Sequence, residues 1–296
     1  MNKAAPVEED LSNAILYEVI DDHIARITLN RPHRKNAIVT PDMNDMLAEA
    51  FQRAQDDDEI KVVILAGTGS DFCSGEDTKR MPVEAFGLKK GGRLGQSKRM
   101  RGIRKLLDST LEGTIWGDKV VILAAQGAVL GQGFSFAMTA DLLILADDAY
   151  VARRQSRIGF AGFETQLPMT LLRLGLNRGM EILLTGRKMS AQELKDWGVA
   201  NSVVPREKLE EEALRYARAV AAHATDNLML GKRALQQYYH GLGIGAFLNF
   251  ATVAHPLFSN VVWREDELNF LRERDKAGGR EAMKNINKVW EDLGFE

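Results

Sequence analysis

The chain has 296 residues, of which 45% are hydrophobic, and it carries 39 basic against 41 acidic side chains. This length and composition allow one large buried core with an appendage, and the near-neutral charge argues against nucleic acid or an anionic membrane as a partner. No run of about 18 apolar residues occurs, so we expect no transmembrane helix. The lone cysteine, Cys73, excludes an intramolecular disulfide and is typical of a reducing compartment, so we expect a cytoplasmic protein. Its thiol is either a nucleophile or a small buried side chain beside a turn.

The first predicted elements are a tail, a hairpin and a helix. Residues 1–13 are polar and acidic and predict a flexible tail. Apolar and polar residues alternate over 15–29 around a central Asp-Asp pair, which predicts a β-hairpin. Thr40 and Pro41 then predict the start of a helix, with Thr40 as its N-cap.

Apolar runs and helical patterns alternate farther along the chain. Strands are predicted at 62–66, 119–125 and 142–146, and helices at 103–111, 209–222, 227–239 and 246–263. Ser190 and Glu193 have the spacing of a capping box and predict one more helix that ends near Trp197. Strands and helices in this order predict a parallel sheet covered by helices.

The final helical residues carry aromatic side chains that we expect to be exposed. These are Phe247, Phe250, Phe258, Trp263, Phe270 and Trp290. Such helices need a further surface against which to bury these side chains.

Two glycine-rich turns each follow a predicted strand. One is GTGSDFCSGED at 67–77, and the other is AQGAVLGQGFSFAMTAD at 125–141, which leads into a helix of small residues. A turn that enters a helix leaves the first backbone N–H groups free and directs the positive end of the helix dipole outwards. Two such turns can each offer one N–H group to a single oxygen, as in an oxyanion hole. The alternative is a tight turn that only packs a buried helix on a strand.

Four motifs, in order, resemble those of the crotonase (enoyl-CoA hydratase/isomerase) superfamily. They are NRPHRKNAI at 30–38, FCSGEDTKRM at 72–81, QGAVLGQGFSFAMTADLLILADDA at 126–149 and LRLGLNRGMEILLTGRKMSAQELKDWGVANSVVP at 172–205. The resemblance covers roughly residues 14–240 and implies an α/β fold, a crotonase-like spiral of ββα units with two roughly perpendicular sheets. It divides the chain into a core at 14–205 and a C-terminal helical part at 206–296, which in the family packs between subunits. A homotrimer or a hexamer is therefore implied.

The resemblance also implies an acyl-CoA substrate. Its thioester carbonyl would accept hydrogen bonds from the backbone N–H groups of Glu76 and Gln132, where Gln132 replaces the usual glycine. Coenzyme A enters as part of the substrate, and neither a permanent cofactor nor a metal is implied. The five histidines share no metal-ligand spacing. Contacts with coenzyme A are carried over to Lys35, Asn36, Ala37, Ser74, Gly75, Asp77, Thr78 and Gly131. Residues 82–100 are basic and rich in glycine, and we expect them to be a surface insertion that either meets the phosphates of coenzyme A or is merely solvated.

The chain departs from the hydratases of the family at both catalytic glutamates. Ser135 stands at the first position and Gln155 at the second. Neither side chain is a general base near neutral pH, because an amide does not titrate and an unaided hydroxyl is too weak. Hydration therefore competes with double-bond isomerisation and with hydrolytic C–C cleavage of a β-ketoacyl substrate. A catalytically silent CoA-binding scaffold is a further alternative.

Two other carboxylates are candidates for the proton carrier. Glu76 follows the first glycine turn, where desolvation would raise its pKa; alternatively it faces solvent or pairs with Lys79 or Arg80. Glu164 is expected in the loop after the strand that contains Gln155. The resemblance implies that it acts as the acid there; alternatively it is a carboxylate at a helix N-terminus that only favours the helix dipole.

Two adjacent arginines occupy positions that are small or apolar in the family. Arg153 and Arg154 either hold a substrate carboxylate as a bidentate fork or pair with a carboxylate at 147, 148 or 164.

Overall fold

A computed structural model describes residues 9–77, 80, 95–158, 165–257 and 263–295. Over these ranges the chain forms two β-sheets and surrounding helices, so the α/β class is confirmed. The strands are β1 (Ile15–Asp21), β2 (Ile24–Leu29), β3 (Val62–Gly67), β4 (Cys73–Ser74), β5 (Val120–Ala125), β6 (Ala128–Leu130), β7 (Leu142–Ala146), β8 (Tyr150–Ala152), β9 (Met189–Ser190) and β10 (Ser202–Val204). The helices are α1 (Asp42–Asp56), α2 (Gln96–Thr114), α3 (Gln132–Thr139), α4 (Leu167–Thr185), α5 (Ala191–Asp196), α6 (Leu209–Ala221), α7 (Thr225–Gly241), α8 (Ile244–Leu257), α9 (Phe270–Ala277) and α10 (Gly279–Asp292).

The larger sheet has the strand order β1-β2-β3-β5-β7-β10. The pair β1 and β2 is the predicted antiparallel hairpin, and every other neighbouring pair is parallel. The central strands read VVILAG, VVILAA and LLILA, nearly continuous apolar runs that suit a sheet buried on both faces. One face contributes to the main core and the other packs against the small residues of α6.

The smaller sheet, in the order β4-β6-β8-β9, brings the two glycine turns together. Strands β4 and β6 run parallel, with Cys73 opposite Val129 and Ser74 opposite Leu130. Continuing this register by one residue sets Gly75 opposite Gly131. Two turns that are far apart in the sequence therefore meet at the same end of the sheet.

Two predicted boundaries differ from the structure. Helix α1 has Pro41 at its N-cap and no side-chain cap, so the prediction of Thr40 as the cap was wrong. Helix α2 begins at Gln96, so the last five residues of the predicted surface insertion are helical; residues 81–94 lie outside the described ranges. The capping box is confirmed, since the Glu193 N–H donates to Ser190 Oγ over 3.1 Å and the Ser190 N–H donates to Glu193 Oε2 over 2.8 Å.

The C-terminal helices contain one buried aromatic residue that was expected to be exposed. Phe270 is fully buried against Ala282 and Ile286, with Ile158 partly buried beside them. The prediction for Phe270 was wrong because α9 and α10 pack against each other and enclose it. Phe250, by contrast, is 58% exposed, and Phe258 lies outside the described residues.

Helix α7 is tied to the core by a buried ion pair. Lys232 Nζ lies 2.8 Å and 2.9 Å from the two carboxylate oxygens of Asp141 and also donates to the Thr114 carbonyl. Asp141 in turn accepts the Val121 N–H over 2.8 Å. None of the described helices is both long enough and apolar enough to cross a lipid bilayer.

Candidate active site

The two glycine turns are in direct backbone contact. Gly75 has φ +94° and Gly131 has φ +56°, backbone conformations that residues other than glycine rarely adopt. A Cβ atom on Gly131 would lie 2.6 Å from Gly75 Cα and 2.6 Å from Glu76 Oε2. Only glycine fits there, and Glu76 and Gln132 are the next residues in the two turns.

The first turn is held by the segment just before α1. The Ile38 N–H donates to the Gly75 carbonyl and the Asp77 N–H donates to the Ile38 carbonyl, both over 2.8 Å. The buried Asp77 carboxylate accepts hydrogen bonds of 3.2 Å from both Arg31 and Arg34. The carboxylate of Asp77, expected at the coenzyme A site, therefore bonds to arginines of the first motif.

Asn36 also makes its hydrogen bonds within the protein. Its side-chain amide donates to the Thr68 and Asp71 carbonyls, each over 2.8 Å, and its Oδ1 accepts the Arg31 N–H over 2.7 Å. Lys35 is exposed and its Nζ lies 3.3 Å from Asp71 Oδ2.

Three further positions of the expected coenzyme A site follow. The Ala37 carbonyl accepts a hydrogen bond from the Arg31 guanidinium. Ser74 is half-buried, and Thr78 lies outside the described residues.

The second turn begins helix α3, and the Gln132 side chain anchors it. Gln132 is 2% exposed. Its Oε1 accepts a 3.0 Å hydrogen bond from the Asn44 amide, and its Nε2 donates to the hydroxyls of Ser109 (3.3 Å) and Thr110 (3.1 Å). Buried polar groups of this kind are stabilising only when paired. The Gln132 side chain thus links the start of α3 to α1 and α2.

A cavity of about 30 Å³ opens beside the two turns. Its apolar wall consists of Leu106, Leu107, Leu111, Met138 and Met169, and its polar wall of Glu76, Thr110, Gln132, Ser135, Thr139, Thr165 and Gln166. Glu76 is the only ordinarily titratable carboxylate, amine or imidazole among the described residues of this lining.

Glu76 sits in an environment that favours its neutral form. Burial raises the pKa of its carboxyl above the ordinary value, while a hydrogen bond from its own backbone N–H and the charges of Arg153 and His255 act in the opposite direction. Arg80, an alternative partner for Glu76, lies 3.5 Å from Glu9 instead; the other alternative, Lys79, lies outside the described residues. A raised pKa makes a carboxyl a stronger base and a better match for proton transfer than an ordinary carboxyl.

Ser135 lies on the cavity wall, and Gln155 does not. Ser135 Oγ accepts a 3.2 Å hydrogen bond from Gln166 Nε2, and Gln166 Oε1 accepts one of 3.0 Å from Arg153 Nε. Gln155 follows β8 in a turn and is not among the described residues that line the cavity. Glu164 lies outside the described residues.

Sequence reasoning missed Gln166. It is the N-cap of α4, two residues before Pro168, and this helix-start pattern was the available signal.

The two adjacent arginines have separate partners. Arg153 is buried and contacts Gln166, whereas Arg154 lies 3.4 Å from the Asn287 amide oxygen. Asp148, one of the expected partners, instead pairs with Arg206 at 2.5 Å.

Cys73 is a buried side chain beside the first turn. Burial raises the pKa of its thiol to about 12. The thiol is therefore protonated at neutral pH, which confirms the prediction of a small buried side chain.

Comparison with known proteins places these features in a family. Residues 20–247 match the family described as enoyl-CoA hydratase/isomerase. The chain is 30% identical to mevalonyl-coenzyme A hydratase SIDH of Beauveria bassiana over 217 residues, which are 72% of this chain and 75% of that protein. The motifs and this relative indicate the same family.

Solved structures of similar fold indicate the same family. A probable enoyl-CoA hydratase from Mycobacterium thermoresistibile is similar with a TM-score of 0.72 and 30% identity, covering 84% of this chain and 98% of that one. An enoyl-CoA hydratase/isomerase from Xanthobacter autotrophicus Py2 is similar with a TM-score of 0.79 and 28% identity, covering 93% and 98%. Since the family match spans well over half of the sequence, this chain belongs to the enoyl-CoA hydratase/isomerase family of enzymes.

Proposed function

We propose that the protein acts on an acyl-CoA thioester held with its carbonyl oxygen between the backbone N–H groups of Glu76 and Gln132. The observation that supports this proposal is the contact of Gly75 with Gly131, because Glu76 and Gln132 are the next residues in these two turns. Each such donor is worth roughly 2.7–4 kcal/mol of transition-state stabilisation. The charge that it stabilises is that of a thioester enolate.

Glu76 is then the proton carrier. Its carboxyl lines the cavity and touches Gly131, and its pKa is raised by burial. In the free protein the carboxylate accepts its own backbone N–H; a thioester oxygen that takes this N–H releases the carboxylate to face the carbon next to the carbonyl. One carboxyl that moves a proton from one carbon of the substrate to another supports a double-bond shift. The same carboxyl supports the addition of water if it takes a proton from the attacking water and a proton is delivered to the carbon next to the carbonyl.

The first experiment is a reaction panel followed by mass spectrometry. The wild type is incubated with enoyl-CoA and 3-oxoacyl-CoA thioesters, beside Glu76→Gln and the matched surface control Glu49→Gln. We expect either the gain of one water or an unchanged mass with a shifted double bond. Glu76→Gln should lower turnover by roughly 10²–10⁴-fold while a thioester still binds, and Glu49→Gln should not.

Other outcomes of the panel contradict this proposal. Hydrolytic cleavage of the 3-oxoacyl chain would indicate a β-ketoacyl C–C hydrolase. Binding without turnover on every thioester would support a CoA-binding scaffold. Full activity of Glu76→Gln would show that another group carries the proton. Glu164 would then be the next residue to replace.

We also propose that the coenzyme A portion lies along residues 35–37 and 74–77. Lys35 is exposed at this edge, next to the first turn, and an ammonium group attracts phosphate. Lys35→Ala should weaken the binding of free coenzyme A, and the effect should shrink at high salt. An unchanged affinity at low salt would contradict this placement.

We propose that the chain assembles as a homotrimer or a hexamer of such trimers. Several of the described helices expose large apolar side chains, for example Leu176 on α4 (65%), Leu230 on α7 (62%) and Phe250 on α8 (58%). Exposed apolar surface of this kind is typical of subunit contacts. Light scattering during size exclusion should give three or six times the mass of the chain, and a monomer would contradict the proposal.

We propose a cytoplasmic location because the chain has a single cysteine. Cys73 is buried and free, as expected of a chain that does not depend on oxidative folding. Fractionation of cells followed by immunodetection should find the protein in the soluble cytoplasmic fraction, and its recovery elsewhere would contradict this.

A further inference from the structure

A carboxylate from the N-terminal segment reaches the first of the four motifs. Glu9 lies six residues before β1, and its Oε1 accepts a 2.9 Å hydrogen bond from Arg31 Nε. Its Oε2 accepts a second one of 2.6 Å from Arg31 Nη2. Both carboxylate oxygens therefore meet one guanidinium, a bidentate arrangement that fixes the orientation of the two groups as well as their distance.

Two more side chains converge on the same carboxylate. His33 Nε2 lies 2.9 Å from Glu9 Oε1, and Arg80 Nη2 lies 3.5 Å from Glu9 Oε2. The hydrogen bond from Arg31 lowers the pKa of the Glu9 carboxyl to about 2; the hydrogen bond from His33 and the charges of Arg31 and Arg80 act in the same direction, and burial opposes them. Glu9 is therefore an anion throughout the neutral range.

Arg31 joins Glu9 to both sides of the first glycine turn. Arg31 is 2% exposed. Its Nη2 also lies 3.2 Å from Asp77 Oδ2, and its Nη1 donates to the Ala37 carbonyl. A guanidinium is planar and its N–H donors have fixed directions, so a contact on one edge constrains the contacts on the others.

The two groups that Arg31 holds adjoin the proposed oxyanion donor. Asp77 directly follows Glu76. Ala37 directly precedes Ile38, whose N–H donates to the Gly75 carbonyl over 2.8 Å and whose carbonyl accepts the Asp77 N–H over 2.8 Å. A movement of the guanidinium would therefore shift the backbone on either side of the Glu76 N–H.

Charge balance explains why a carboxylate is needed at Glu9. The Asp77 carboxylate already pairs with Arg34 over 3.2 Å. Without Glu9, the guanidiniums of Arg31 and Arg34 would compete for this one carboxylate. A buried charge that loses its partner is costly, so Arg31 would move towards water or pull Asp77 out of place.

We propose that Glu9 is a positioning residue: its carboxylate holds the Arg31 guanidinium so that the segments at 37–38 and 75–77 keep the Glu76 N–H directed at the thioester oxygen. The N-terminal segment is thereby part of the site, and Glu9 acts through Arg31 rather than on the substrate. The inference rests on the proposed function, because it assumes a thioester carbonyl at the N–H groups of Glu76 and Gln132.

The test is the infrared carbonyl band of bound butyryl-CoA labelled with ¹³C at the thioester carbon. Binding to the wild type should displace this band to lower frequency, since two N–H donors polarise the carbonyl. Glu9→Gln keeps the size of the side chain and removes its charge. We expect it to reduce the displacement by about half, because one of the two donors is misaligned.

An added anion separates positioning from general damage to the fold. Glu9→Ala should show the same reduced displacement and leave a space between Arg31, His33 and Arg80. Potassium acetate should fill this space and restore the wild-type band, whereas potassium chloride at the same concentration should not. A loss of fold stability alone would not move the band of the thioester bound to the folded fraction.

Asp10→Ala is the matched control. Asp10 is the next carboxylate in the chain, and it is exposed and accepts the Ser12 N–H over 2.9 Å. Its replacement should leave the band unchanged. On any thioester that the wild type converts, Glu9→Gln should lower kcat by roughly 10–10²-fold, since a misplacement of 1 Å costs about 10²-fold. Asp10→Ala should keep kcat within about twofold, as for an ordinary surface substitution.

The results that would overturn the inference differ from those that would overturn the proposed function. If the wild type displaces the band and both Glu9 variants displace it equally, Glu9 does not position the donor, although the proposed function stands. A reduced displacement that acetate does not restore would likewise contradict the role of this carboxylate. If the wild type binds no thioester, or binds it without displacing the band, the proposed function fails and the inference fails with it.

Discussion

The carboxylate of Glu76 lies against the α-carbon of Gly131. A Cβ atom added to Gly131 would be 2.6 Å from Glu76 Oε2, well inside van der Waals contact. The group proposed to carry the proton is therefore in contact with the turn that supplies the second N–H donor. The proposed proton carrier and the proposed N–H donors are therefore close together. For this reason, replacing a glycine in either turn should affect both.

Gly131→Ala tests this contact. The added methyl group would collide with Gly75 Cα and with the Glu76 carboxylate, on top of the φ strain. We expect a loss of about 2–6 kcal/mol in the free energy of unfolding, since an L-residue in a sparsely populated backbone region costs about 1–3 and overpacking about 1–3. Turnover should fall by roughly 10²–10³-fold if one oxyanion donor is displaced.

Gly198→Ala is the matched control for Gly131→Ala. Gly198 has a similar φ of +74°, but nothing lies within 4 Å of its added Cβ. Its cost should be only about 1–2 kcal/mol, with turnover unchanged. If Gly131→Ala and Gly198→Ala change urea unfolding and turnover equally, the contact of Gly131 with Glu76 contributes to neither stability nor activity.

Glu76→Gln should change how stability depends on pH. Burial raises the pKa of Glu76 above its ordinary value of 4.5, so from about pH 4.5 up to the raised pKa the folded protein holds a proton that the unfolded chain releases. Wild-type stability therefore falls as the pH rises through this window, and the glutamine variant is spared this loss. Urea unfolding at several pH values should show the difference growing in favour of Glu76→Gln, then levelling above the folded pKa. Parallel curves would contradict the burial of an ionisable group here.

The hydrogen bonds around Gln132 should act as a unit. Gln132→Leu removes one hydrogen-bond partner each from the Asn44 amide and from the Ser109 and Thr110 hydroxyls, so we expect a loss of about 1–3 kcal/mol in the free energy of unfolding. The backbone N–H of residue 132 is retained. The infrared carbonyl band of a bound ¹³C-labelled thioester should therefore keep its wild-type position.

A double-mutant cycle completes this test. Asn44→Ala, Gln132→Leu and the double variant should give a coupling energy of roughly 0.5–3 kcal/mol, because the two side chains are in direct contact. Additive losses would show that the 3.0 Å hydrogen bond contributes nothing to stability.

Cys73 should resist alkylation in the folded protein. It is fully buried and burial raises the pKa of its thiol to about 12, so neither access nor thiolate is available near neutral pH. Iodoacetamide should add no mass to the native protein and one adduct after unfolding in urea, since the chain has a single cysteine. Rapid labelling under native conditions would contradict the packing of the first turn.

The sequence by itself determined the elements that depend on near neighbours. Strand β7 has the predicted bounds 142–146, and the Ser190–Glu193 capping box forms as expected. Apolar periodicity and caps involve residues only a few positions apart, so the local pattern contains the necessary information. The two glycine turns, each after a predicted strand, indicated that they act on one oxygen, and the four motifs added the family.

Tertiary structure alone decided the partners of individual side chains. Ser135 and Gln166 are 31 positions apart, and Arg153 and Gln166 are 13 apart, so no local pattern indicates their hydrogen-bonded chain. Phe270 is buried only because α9 and α10 fold onto each other. The raised pKa of Glu76 likewise follows from burial beside the Gly131 turn, since desolvation depends on every group packed around a carboxyl and not on its neighbours in the chain.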